Sequence, residues 1–223
     1  MRPSRSTAGN TPAVNPNPLN TCPGCGITRA VDAALCLEAG VDALGFNFWP
    51  GSKRHIWPAE AEAIAATLPA GVLRVGVFVR AAPSEVREVV GRVGLGAVQL
   101  HGDEDPAEYR EVGAALWQVL RVERALPEYP SASADAVLLD ARVEGFGGGG
   151  RPFDWAVASG ARAWTQPVWL AGGLTPENVA LAVRTVQPWG VDVASGVESA
   201  PGVKEPARVR AFIAAVRAVG DDR

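Results

Sequence analysis

The stretch PVWLAGGLTPENVALAVRTVQPWGVDVASG, residues 167–196, decides how the chain is read. It opens on an apolar run, PVWLAGG (167–173), continues through a helical segment at 176–186, and closes on a second apolar run, VDVASG (191–196). Short runs of strand character alternating with amphipathic helical segments imply parallel strands joined by crossover helices. Each run ends on small residues, Gly172 and Gly173 in one and Ser195 and Gly196 in the other.

The same alternation extends upstream. Strand-like runs lie at 43–48, 73–79, 97–100, 116–120 and 136–140, and helical segments at 28–39, 58–67, 83–90, 105–113 and 153–158, with a last helix at 205–219. No helix can be placed in the connection that precedes 136–140. Seven strands therefore follow Cys25, and the strand that would complete a (β/α)8 barrel can come only from the residues leading into that cysteine. Those residues, NPNPLNTCPG, carry prolines and a Pro-Gly pair, which suit a buried parallel strand poorly. The expectation is an α/β fold, a single-domain (β/α)8 TIM barrel over 21–220 with an irregular first strand. Residues 1–20 are rich in Pro, Asn, Ser and Thr, contain no acidic residue and lack an apolar signal core, which predicts a disordered N-terminal extension.

Composition narrows the function classes. At 223 residues, with 48% hydrophobic and 20% charged residues, the chain has the make-up of a soluble globular domain, and no apolar run approaches the ~18 residues of a membrane span. A net charge of -3 gives no electrostatic reason to expect nucleic acid. Three cysteines fit free thiols in a reducing compartment, hence a cytoplasmic protein.

In a closed barrel, chemistry sits at the C-terminal ends of the strands. The reading order then nominates Cys25, Arg54, His101, Asp140, Gly172, Gly173, Asp192, Ser195 and Gly196. Glycines after the seventh strand and Ser-Gly after the eighth offer bare backbone N–H groups to a phosphate, or else only make tight turns. The loop EGFGGGGRPFDW is either a passive spacer or a mobile flap that brings Arg151 over a substrate. Asp140 ends an apolar strand, where desolvation favours a protonated carboxyl able to act as an acid; the alternative is a turn or helix-capping residue. His101 reads as a residue that hydrogen-bonds locally and holds a neighbour, more than as a base or ligand. Arg54, in GSKRHI, offers a planar fork to a substrate carboxylate or is a solvated loop cation.

The stretches CGITRAVDAALCLEAGVDALGFNFWPGSKRHI, RVGVFV, VQLHGDE, LLDA, GGGGRPFDW, LAGGLTPENV and VDVASGVESAPGVKE occur in the order and spacing of the phosphoribosylanthranilate isomerase family, which the chain resembles from Cys25 to about Phe212. The resemblance implies an intramolecular aldose-ketose isomerase of tryptophan biosynthesis. It would convert N-(5-phosphoribosyl)anthranilate to the 1-deoxyribulose phosphate by an Amadori rearrangement, with no cofactor and no metal. It implies Cys25 as general base, Asp140 as general acid, Arg54 on the anthranilate carboxylate, Asp192 and Arg151 on the substrate, and the backbone around Gly172, Gly173, Ser195 and Gly196 on the sugar phosphate. The expected partner is a small phosphorylated substrate, the chain being a monomer or homodimer, with neither nucleic acid nor membrane.

The sequence departs from that family in places. Arg151 and Pro152 stand at the flap's usual Lys and Thr, Ala194 at a usual serine, and Trp49 at a common tyrosine. Pro23 and Gly24 replace the lysine and branched apolar residue that lead into the family's cysteine, which suggests an authentic start different from the one written. Rival readings are a catalytically impaired phosphate-binding barrel, a related Amadori isomerase of histidine biosynthesis, and a redox or zinc module built on Cys22 and Cys25. The last lacks a second Cys-x-x-Cys, and the only histidines are His55 and His101.

Overall fold

The computed structural model describes residues 20–22, 24–127, 129–141 and 154–220, with only the backbone described for 20–25. Residues 1–19 of the expected extension 1–20, Pro23, and the glycine loop with Arg151 lie outside the described residues, whereas Asn20 begins a strand.

Seven parallel strands follow one another in chain order: β3 (Ala43–Asn47), β4 (Leu73–Phe78), β5 (Ala97–Leu100), β6 (Ala115–Val122), β7 (Ala136–Ala141), β8 (Val168–Leu170) and β9 (Gly190–Asp192). Two short pieces flank them. β1 (Asn20–Cys22) pairs in parallel with β9, matching Cys22 to Asp192, and β2 (Gly24–Cys25) pairs in parallel with β3, matching Cys25 to Gly45. The sheet is therefore curled, with its two edges one residue apart in the chain. The sequence between them supplies a proline, Pro23, a residue with no N–H to give to a ladder.

The helices are α1 (Ala30–Glu38), α2 (Pro58–Ala65), α3 (Pro83–Val93), α4 (Trp155–Ala158), α5 (Val179–Val186) and α6 (Pro206–Gly220). Three begin on proline, whose missing N–H costs nothing in the first turn, where no intrahelical acceptor exists. α3 stops at Gly94, which takes φ +69 and donates its N–H to the Val90 carbonyl.

Two expectations are corrected. The segment 105–113 is not an α-helix but a single 3-10 turn, Pro106–Tyr109, started by Asp105 accepting the Ala107 N–H at 2.9 Å. Between Pro106 and Gly113 the segment is too short to repay helix nucleation, and the Tyr109 hydroxyl pins it by donating to the Ala81 carbonyl at 2.6 Å. The run expected at 191–196 ends as strand at Asp192; Ser195–Val197 is a 3-10 turn, followed by an unforeseen antiparallel pair, β10 (Glu198–Ala200) and β11 (Val203–Lys204).

Alternation along each strand sorts the core into two layers. Outward residues such as Phe46, Leu100, Leu139 and Val191 pack against Val86, Val183 and Phe212 of the helices. Inward residues Ala43, Val75, Ala97, Trp117, Ala136 and Trp169 form a second cluster. Here small residues make room for large ones: the Trp117 and Trp169 rings lie 4.6 Å apart and Trp189 meets Trp169 at 5.4 Å. Gly190 is required beside them, since a Cβ there would fall 2.6 Å from the Trp169 ring.

Candidate active site

One pleat repeat further along the same inward face, the side chains change character. Ala97 gives way to Gln99 and His101, Ala136 to Leu138 and Asp140, and Gly190 to Asp192. With Asn47, these polar groups converge on a pocket of about 120 Å³ whose apolar walls include Val77, Val79 and Ala171.

Asp140, at 7% exposure, is with Asp192 one of two buried acids of this pocket. Its Oδ1 accepts the Ala141 N–H at 2.8 Å, and its Oδ2 lies 3.3 Å from His101 Nε2, an ion-pair distance if the ring is protonated. The His101 carbonyl in turn accepts from Arg121 Nη2 at 2.9 Å. Gly172, at φ +83, lies against this carboxylate: a Cβ there would stand 2.8 Å from Asp140 Oδ1 and 2.5 Å from the Ala141 nitrogen. Only glycine meets both conditions.

Arg54 also lines the pocket, through the bend after β3. It is neither solvated nor free. Its Nε and Nη2 form a bidentate pair with Glu198, the shortest contact being 2.6 Å, and Glu198 also accepts from the buried Lys204 Nζ at 3.1 Å. Burial by itself would push the Glu198 carboxyl up; the Arg54 hydrogen bonds and the Lys204 charge outweigh it and hold the group below its ordinary value. Because Arg54 uses one edge of its planar fork on Glu198, the Nη1 side remains for another carboxylate. Gly26, at φ +80, lets this side chain approach, as a Cβ there would meet Arg54 Cδ at 2.4 Å.

Arg54 thereby lies over the turn that follows Cys25. The Cys25 backbone is in register with Gly45, and the N–H groups of Gly26 and Ile27 both donate to the Gly45 carbonyl at 2.9 Å. The cysteine side chain lies outside the described residues, as does Arg151.

Gly173, Asp192, Ala194 and Ser195 also line the pocket. Gly173 takes φ +68, and Asn178 ties its turn by donating Nδ2 to the Gly173 carbonyl at 2.9 Å and accepting the Thr175 N–H at 2.8 Å. Gly196 follows, where a Cβ would come within 1.9 Å of the Leu174 carbonyl oxygen. The pocket thus brings together Arg54, His101, Asp140, Gly172, Gly173, Asp192 and Ser195. Sequence reasoning gave no role to Gln99, Asn178, Glu198 or Lys204. For Gln99 a signal was present, an amide in the middle of an otherwise apolar strand, AVQL.

A family model described as N-(5'phosphoribosyl)anthranilate (PRA) isomerase matches residues 22–215. The N-(5'-phosphoribosyl)anthranilate isomerase of Myxococcus xanthus is 48% identical over 201 residues, 87% of this chain and 95% of that protein. Among solved structures, phosphoribosyl anthranilate isomerase from Thermus thermophilus superposes with a TM-score of 0.82 at 38% identity, covering 90% of this chain and 100% of that one. A phosphoribosyl anthranilate isomerase in complex with reduced 1-(o-carboxyphenylamino)-1-deoxyribulose 5-phosphate gives a TM-score of 0.76 at 35% identity, covering 90% and 99%. On the extent of the family match and of these identities, the chain belongs to the N-(5'-phosphoribosyl)anthranilate isomerase family.

Proposed function

We propose that the chain catalyses the Amadori rearrangement of N-(5-phosphoribosyl)anthranilate to 1-(2-carboxyphenylamino)-1-deoxyribulose 5-phosphate, the isomerisation step of tryptophan biosynthesis. The observation that carries this reading is the buried Asp140 carboxyl, set beside His101 in a pocket that Arg54, Gly173 and Ser195 also line.

The chemistry needs two proton transfers. Asp140 protonates the furanose oxygen, which opens the ring and leaves a Schiff base with an acidified C2 hydrogen. Cys25 removes that hydrogen as thiolate; a thiol with an unperturbed pKa of about 8.5 is basic enough when held within reach. An acid and a base that start in opposite protonation states thus divide the reaction, and no cofactor takes part. His101 orients the Asp140 carboxyl. Arg54 receives the anthranilate carboxylate on its Nη1 side, Asp192 orients the sugar, Arg151 closes over the substrate, and backbone N–H groups around Gly172, Gly173, Ser195 and Gly196 hold the phosphate.

The fold reading belongs to the same proposal. Residues 21–220 form one (β/α)8 barrel in which β1 and β2 are halves of a single first strand, supported by their pairing to β9 and β3 on either side of Pro23. The chain works as a monomer or homodimer in the cytoplasm. Among the described residues no helix is long and apolar enough to cross a membrane.

The test is isomerisation of phosphoribosylanthranilate by wild type and by Cys22→Ala, Cys25→Ala and Asp140→Asn. Loss of activity is expected for Cys25 and Asp140, and little change for Cys22. Equal loss at Cys22 would instead favour a thiol-pair or metal role, and an inactive wild type would favour a barrel that only binds phosphorylated ligand.

A further inference from the structure

We infer that the Gln99 side-chain amide binds the substrate, donating a hydrogen bond to a hydroxyl of its sugar. Gln99 lies on β5 at an inward position, one pleat repeat below His101, in register with Val77 on β4 and Trp117 on β6. It is 1% exposed and forms part of the pocket wall that includes Asp140 and Asp192. Its Nε2 has no hydrogen-bond partner among the described residues.

That combination is costly for a purely structural residue. A buried amide left unpartnered opposes folding, and an unbranched apolar side chain would fill the same volume without the cost. Its neighbours in register are apolar or aromatic, and among the described residues no group answers the donor. A donor kept buried and unanswered at the floor of a reaction pocket is matched by a ligand atom.

The chemistry of the substrate narrows which atom. This step rests on the isomerase reading above, in which the phosphate goes to the glycine turns and the anthranilate carboxylate to Arg54. The bridging anthranilate nitrogen and the sugar hydroxyls remain; the nitrogen's lone pair is delocalised into the aryl ring, so the hydroxyls, in the stretch between those anchors beside Asp140, are the acceptors for an amide N–H. A site built to hydrogen-bond a hydroxyl discriminates against its loss because the buried partner is then unsatisfied.

The experiment measures three quantities for wild type, Gln99→Met and Gln99→Glu. These are melting temperature, KM and kcat for phosphoribosylanthranilate, and calorimetric affinity for reduced 1-(o-carboxyphenylamino)-1-deoxyribulose 5-phosphate. Gln99→Met is expected to weaken analogue binding and raise KM roughly tenfold to a hundredfold, with a melting temperature equal to or above that of wild type. Gln99→Glu keeps the shape and loses the donor. Its affinity relative to wild type should recover as pH falls and the carboxyl regains a proton to donate, a response that a packing role would not produce. If wild type is active and Q99M binds the analogue and turns over substrate as wild type does, the amide is answered by water alone and the inference is overturned. A wild type that neither binds the analogue nor isomerises the substrate overturns the isomerase reading, and this inference with it.

Discussion

The two ends of the sheet's inner face are built from the same strands, with side chains only two to four residues apart, yet they are opposite in chemistry. At the N-terminal end Ala43, Val75, Ala97 and Ala136 close around Trp117 and Trp169, with Trp189 against them. At the C-terminal end Asn47, Gln99, His101, Asp140 and Asp192 surround open space. Period-two alternation points both sets inward. The difference teaches that one structural device carries two tasks. The packed floor supplies stability, and its rigidity holds the polar mouth in place.

The comparison breaks most visibly if a mouth residue proves structural. Asp140→Asn is expected to lower kcat by about 10³-fold, the usual scale of a lost general acid, while the melting temperature stays near that of wild type. A large fall in melting temperature with kcat retained would reverse the assignment of the two ends.

Trp169→Ala tests the floor. It should destabilise the fold by about 3–5 kcal/mol in denaturant titration, because it removes a fully buried ring and two aromatic contacts. The folded fraction should keep its KM.

Glu198→Gln sharpens the comparison, since this residue is buried like the floor yet serves the mouth. Losing the anion that faces Arg54 and Lys204 should cost about 3 kcal/mol. The pH dependence is specific. A carboxyl held below its ordinary value contributes stability above that value and loses it as pH falls through the lowered one. Wild type should therefore lose stability below its ordinary range, near 4.5, while Glu198→Gln lacks that component. The smallest effect is expected far from both ends. Arg92 and Glu62 pair at 2.7 Å on the outer surface, both about half exposed, and Arg92→Ala should change stability by less than about 1 kcal/mol.

Particular residues show where legibility ended. Asp140 and His101 could be named from sequence because each closes an apolar strand-like run. The partner of Arg54 could not, because Glu198 is 144 positions away and nothing in local pattern encodes that pairing. The helix expected at 105–113 followed composition, and Tyr109 binding to Ala81 overrode it. Pro23 and Gly24 read as obstacles to a first strand. In the structure two short pieces on either side of Pro23 pair with different strands, Cys22 with Asp192 and Cys25 with Gly45.

By itself the sequence determined the order of seven parallel strands, the family resemblance, and which residues fall at strand ends, since hydrophobic period and glycine placement are local properties. The tertiary structure alone decided that Arg54 is clamped by Glu198, that Gly172 leaves no room for a Cβ beside the Asp140 carboxylate, and that Gln99 lies buried with a donor unanswered among the described residues. Those facts depend on groups distant in the chain coming within hydrogen-bond or van der Waals range. Only the curled sheet brings them there.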